Sequence, residues 1–178
     1  MRNIHKKIET ASNIAIIIVA LLFGGVLISR YFVSPSPPAA MAENKEIKAG
    51  TILSLSEIDW NKSNKNLVLV LSTNCHFCSE STPFYQKLVA RQKGENSTAR
   101  LIAVMPQSVD EARRYLTESG ISVDEIKQTS LNTINIQGTP TLVLVDQNGA
   151  VIQSWVGKLP PEKETEIINR LFGENSRS

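Results

Sequence analysis

The chain has two cysteines, Cys75 and Cys78, set two residues apart in Ser72-Thr73-Asn74-Cys75-His76-Phe77-Cys78. The β-prone apolar run Leu67 to Leu71 precedes them, and a segment with helical apolar spacing follows. This order delivers the first sulfur to a helix start. There the leading N–H groups lack intrahelical partners and the macrodipole is positive, so a thiolate is stabilised. Cys75 is therefore expected to be the nucleophile. Cys78, at i+3, shares its helix face and is close enough to close a disulfide with it. Such a pair is the minimal apparatus for dithiol–disulfide exchange.

Three other uses of the pair fit less well. A structural zinc site needs four ligands, and the only histidines to add are His5 and His76. A c-type haem needs histidine directly after the second cysteine, where this chain has Ser79. A purely structural disulfide over so short a loop would remove little unfolded-state entropy. No metal and no cofactor are expected.

A length of 178 residues suits one domain plus a short appendage, and 42% hydrophobic residues are enough for an ordinary globular core. The net charge is +2, but Arg2, Lys6, Lys7 and Arg30 against Glu9 put +3 on the first 33 residues and leave −1 on the rest. The remainder carries no basic field to attract nucleic acid, which is excluded as a partner.

Residues 1–13 read as a cytoplasmic N-terminus and 14–33 as a transmembrane anchor. Ile14 to Ile28 carry no charge, and Tyr31-Phe32-Val33 extend the stretch to the roughly 20 residues a bilayer requires. Basic residues before the span place the N-terminus inside. The rival reading is a cleaved signal peptide, with Ala40-Met41-Ala42 as the cleavage site. Either way the rest of the chain is exported. Residues 34–45 form a Pro-rich linker, 46–173 the domain and 174–178 a tail.

Within the domain, Glu46 to Trp60 suggests only a short strand or hairpin. Leu67 to Leu71 has the continuous apolar character of a strand buried on both faces. One helix is expected from Cys75 to about Gln92, with Phe84, Tyr85, Leu88 and Val89 on its apolar face and Pro83 kinking it. Arg100 to Met105 is a second strand. Ser108-Val109-Asp110-Glu111 has capping-box form and opens a helix ending at Gly120. A short strand near Ile126 and a helical turn over 131–134 follow. Thr141 to Val145 and Ala150 to Val156 make a hairpin across Asn148-Gly149, and the last helix starts after Pro160-Pro161 and ends at Gly173.

Together, Cys75-His76-Phe77-Cys78 at a helix start and Gly138-Thr139-Pro140-Thr141 entering a terminal hairpin and helix resemble the thioredoxin fold, an α/β architecture with a central mixed sheet flanked by helices. The resemblance covers about Leu67 to Phe172. It implies a cis peptide bond at Pro140 beside the sulfurs, with the backbone of Thr139 left to pair with substrate. Within the superfamily the chain is most similar to the membrane-anchored TlpA/ResA-like thiol-disulfide oxidoreductases of bacteria. It departs from them at Asn74, in lacking a proline inside the motif, and at Ser81, where that branch has a glutamate. Glu80 is one position off, about 100° around the helix, so that residue's proton-handling role is not carried over.

The expected function is thiol-disulfide exchange with protein substrates, on the outer face of the bacterial inner membrane and with a membrane or extracytoplasmic redox partner. His76 could bias the redox potential, since a nearby imidazolium favours thiolate; its other reading is a solvent-facing side chain. Phe77 reads as an apolar docking rim. Two alternatives are a thiol peroxidase and a tethered thiol or metal chaperone. The peroxidase pattern wants a threonine and an upstream proline where this chain has Ser72 and Val68.

Overall fold

Strand β1 (Asn66–Val70) is buried at all its positions because it lies in the middle of a five-stranded sheet, in the order β3 (Glu125–Gln128), β2 (Arg100–Met105), β1, β4 (Thr141–Val145), β5 (Val151–Val156). In this computed structural model the described residues are 46–173 except 56, 95 and 96. The expected membrane anchor, linker and tail lie outside them. Among the described residues no helix is long and apolar enough to cross a membrane.

β2 (Arg100–Met105) runs parallel to β1, with Val68 opposite Ile102, and β3 (Glu125–Gln128) runs parallel to β2. β4 (Thr141–Val145) and β5 (Val151–Val156) are antiparallel, so the sheet is mixed. Side chains alternate across a strand, and the sequence sorts them by shape. Leu67, Leu69, Leu101, Met105, Leu142 and Leu144 face one side, while Val68, Val70, Ile102, Val104, Val143 and Val145 face the other. The first face packs on the long helices α2 (Thr82–Gly94), α3 (Val109–Glu118) and α4 (Pro161–Phe172), through Tyr85, Leu88, Leu116 and Ile167. Successive right-handed crossovers from β1 to β2 to β3 keep α2 and α3 on one side. The second face has a thinner cover: Leu53, Leu55 and Ile58, with Ile134 in the 3-10 turn Leu131–Ile134 and Ile136 just after it.

Two expectations are corrected. The cysteine helix is not one kinked helix but two, α1 (His76–Glu80) and α2, separated at Ser81. Pro83 has no N–H and its ring would meet the carbonyl of Ser79, so it is accommodated only near a helix start. Pro83 opens the second helix rather than kinking a single one. Before β1, the expected strand or hairpin reduces to one bridge between Ile52 and Ala150, where Gly50 N–H donates to Val151 O (2.8 Å) and Val151 N–H to Thr51 O (2.8 Å).

The strand at Ile126, the turn at 131–134, the hairpin and the last helix stand where the sequence put them. Ser108 caps α3 by accepting the Glu111 N–H at 3.3 Å. The Glu111 carboxylate instead accepts the Thr73 hydroxyl at 3.3 Å, beside the cysteine loop.

Candidate active site: the cysteine pair and the loops around it

β1 ends at the edge of the sheet where the parallel strands finish, and the turn Ser72-Thr73-Asn74 carries the chain into α1. Cys75 N–H donates to Ser72 O at 3.2 Å, closing that turn. Cys75 is the N-cap of α1, in extended conformation, and its Sγ accepts the Cys78 N–H at 3.1 Å. A cap side chain that receives an orphan N–H is normally an oxygen, and here a sulfur takes its place. Because α1 has only five residues, this local N–H contributes more to a thiolate than any macrodipole. Cys75 is half-buried and Cys78 is 0% exposed, so only the first sulfur can be reached from outside. The two form a disulfide with Cα atoms 5.2 Å apart.

Opposite Cys75 stands the loop Gly138-Thr139-Pro140. The Thr139–Pro140 peptide is cis, and the Thr139 carbonyl oxygen lies 3.2 Å from Cys75 Sγ. Thr141 Oγ1 donates to Gly138 O at 2.8 Å, and Gly157 N–H donates to Pro140 O at 2.8 Å, so the loop is tied to β4 and to the residues after β5. Neither the N–H nor the carbonyl of Thr139 joins a backbone hydrogen bond among the described residues.

His76 turns along α1 and pairs with Glu80, Nε2 to Oε1 at 3.1 Å, with its side chain 79% exposed. The other Glu80 oxygen accepts from Lys158 Nζ at 2.9 Å. Lys158 first and His76 second hold the Glu80 carboxyl below its ordinary range. Phe77 is 53% exposed beside His76, their ring centroids 5.8 Å apart. Ser81 occupies the inward helix position, buried, with its hydroxyl donating to Phe77 O at 2.8 Å. No Asp or Glu among the described residues is buried, so no core carboxylate stands behind Cys78. Tyr85 shares the core cluster with Cys78, and its burial pushes the phenol well above its ordinary value, which keeps it neutral.

Cys75, Cys78, Thr139 and Pro140 come together from 64 residues of separation. His76 and Phe77 lie on the outer surface of α1. Sequence reasoning missed Lys158 and Gln107, whose Nε2 donates to Ser72 Oγ at 3.0 Å and braces the turn before Cys75. Nothing local marks either residue, since each arrives on a loop after a different strand.

The thioredoxin-like domain family matches residues 54–172, more than half of the chain. The chain belongs to this family. Thioredoxin-like proteins of known structure share its fold. The thioredoxin domain of a thiol-disulfide oxidoreductase from Bacteroides vulgatus aligns with a TM-score of 0.55 at 14% identity, over 71% of this chain and 99% of that one. A thiol:disulfide interchange protein from Bacteroides sp. gives 0.53 at 16%, over 74% and 90%. A secreted thiol-disulfide isomerase from Corynebacterium glutamicum gives 0.50 at 13%, over 77% and 93%. No curated protein matches the sequence. The chain is a thioredoxin-like protein whose two cysteines stand at the C-x-x-C spacing of an oxidoreductase.

Proposed function

We propose that this thioredoxin-like protein is a membrane-anchored thiol-disulfide oxidoreductase that exchanges its Cys75–Cys78 disulfide with protein substrates outside the bacterial cytoplasm. One observation carries the reading: the half-exposed Cys75 Sγ sits between the Cys78 N–H at 3.1 Å and the Thr139 carbonyl at 3.2 Å, while Cys78 is buried behind it. In the oxidising direction a substrate thiolate attacks Cys75 Sγ. The Cys75–Cys78 bond breaks and Cys78 leaves as a thiolate. A second substrate thiolate then attacks the mixed disulfide and releases Cys75, so the substrate loses two electrons and the protein gains them. In the reverse direction Cys75 thiolate opens a substrate disulfide and one substrate sulfur leaves as a thiolate. Cys78 then attacks Cys75 Sγ, its proton passing to the second substrate sulfur, which leaves as a thiol. The redox partner that resets the pair is placed in or outside the membrane.

Export rests on the apolar stretch Ile14 to Val33 preceded by Arg2, Lys6 and Lys7, and on the secreted protein among the structural neighbours. The test has two arms. Cys75→Ser should reduce turnover of a small disulfide to background, and full retention of turnover would refute the exchange mechanism. A reporter enzyme active only outside the cytoplasm, fused after Ser178, should be active; silence would refute the orientation.

A further inference from the structure

A cleft of about 280 Å³ opens between two segments that the cysteine chemistry does not use: 46–51 on one wall and the strip just before the Pro140 loop on the other. Its lining is Glu46, Ile47, Lys48, Thr51, Asn135 and Gln137. Both walls are fixed from within. Ile47 N–H donates to the buried Ser154 Oγ at 2.7 Å, and that hydroxyl donates back to Ile47 O at 3.2 Å, which fastens the first wall to β5. Ile136 is buried in the core and its N–H donates to Leu131 O at 3.0 Å, so Asn135 and Gln137 on either side of it face outward.

The cleft begins close to the reacting sulfur. Gln137 is two residues before Thr139, whose carbonyl touches Cys75 Sγ, and two residues of chain span at most about 7 Å. A polypeptide paired with the free backbone groups of Thr139 would advance about 3.3 Å per residue, so a residue about two positions from its reacting cysteine would stand level with Gln137. The chemistry of the lining suits main chain rather than a particular side chain. Asn135 and Gln137 each offer an amide donor and an acceptor, Thr51 a hydroxyl, and Glu46 with Lys48 leave no net charge. At 280 Å³ the space is smaller than the ~300–1,000 Å³ of pockets that enclose a drug-sized ligand.

From this placement we infer that the cleft is an extended subsite, holding by its main chain the stretch of substrate polypeptide next to the reacting cysteine. The inference rests on the oxidoreductase reading above and adds to it a preference for unfolded or extended polypeptide over small disulfides. It is tested on the full chain with two peptide disulfides that differ only in having three or nine residues on each side of the cysteine, with hydroxyethyl disulfide as the small substrate. The longer peptide should show a kcat/KM about tenfold higher, the scale of one or two net hydrogen bonds. That ratio should fall to about one in Thr51→Trp and, separately, in Gln137→Trp, exposed positions where a bulky side chain fills the cleft without entering the core. An equal kcat/KM for both peptides in the unaltered chain overturns the inference. So does a ratio that survives both substitutions. Failure to turn over hydroxyethyl disulfide overturns the oxidoreductase reading instead, and the two failures are thereby distinguished.

Discussion

The two ends of the sheet both carry polar pairs closed within the chain, but only one of them also leaves groups open. At the end where β1 and β2 begin, Arg100 is 7% exposed, donates to Asp59 O at 2.8 Å and pairs with Glu125. Further along β3, Lys127 bridges Glu125 at 3.4 Å and Glu57 at 3.2 Å; at the strand start Asn66 Nδ2 reaches Trp60 O and Ser63 O at 3.2 and 3.1 Å. These donors are spent on acceptors of the same chain. At the other end the Thr139 backbone has no backbone partner, Cys75 is half open and Phe77 is bare. Polar groups that close on one another hold strands in register. Groups left open beside a reactive sulfur are available to a second molecule.

That contrast can be broken most forcefully at Arg100. Arg100→Met leaves the half-buried Glu125 carboxylate with Lys127 alone and removes the donor to Asp59 O, and should cost about 2 kcal/mol of stability, the scale of hydrogen bonds to a charged group. Urea denaturation would measure it, and disulfide exchange by the surviving folded protein should be unchanged. If exchange fell as far as stability, the two ends would not be separable.

A smaller effect distinguishes the two sulfurs. In the reduced protein at neutral pH, brief iodoacetamide should label Cys75 at least about tenfold faster than Cys78, because the one has access and an N–H to stabilise its thiolate while the other has neither. Mass spectrometry of the peptides reports the ratio, and faster labelling of Cys78 would exchange their roles.

The smallest effect concerns Glu80, which joins α1 to the residues after β5. Its folded-state value lies below the ordinary 4.5, so the tie to Lys158 is fully present above pH 4.5 and is lost as the pH falls through the lowered value. The group is exposed, so little stability rides on it. Glu80→Gln should weaken the tie at every pH, shift the amide resonances of Gly157 and Lys158, and raise the Cys75 alkylation rate no more than about twofold by removing a nearby negative charge. A slower rate would show that Glu80 orders the cysteine helix more than it repels the thiolate.

Much of this arrangement was legible in the chain because local signals and global fold agree. Leu67 to Leu71 is apolar throughout because β1 is covered on both faces, and Ser108 and Asn148-Gly149 carry their turns in their own chemistry. The division at Ser81 was harder to see. The apolar spacing of Phe84, Tyr85, Leu88 and Val89 continues back toward Cys78, and only the missing N–H of Pro83 marks the boundary. The segment before β1 gave least, since its apolar residues cover a sheet face as loop rather than with a period of their own. Gln107 and Glu111 meet the cysteine turn, and Lys158 the helix after it, only through the strand order, which no residue encodes alone.

The fastening of Ile47 to Ser154, 107 residues apart, also dictates when the domain can finish folding. Closing so long a loop costs on the order of 4 kcal/mol in chain entropy, repaid only once β5 exists. On a ribosome adding about 5–20 residues per second, the Thr139 wall emerges roughly 3 to 13 seconds after Cys75, and β5 later still. During that interval both sulfurs are equally open to any oxidant, and the distinction between a reachable thiol and a buried one does not yet exist. A newly made copy is for those seconds a substrate for thiol chemistry before it is a catalyst of it.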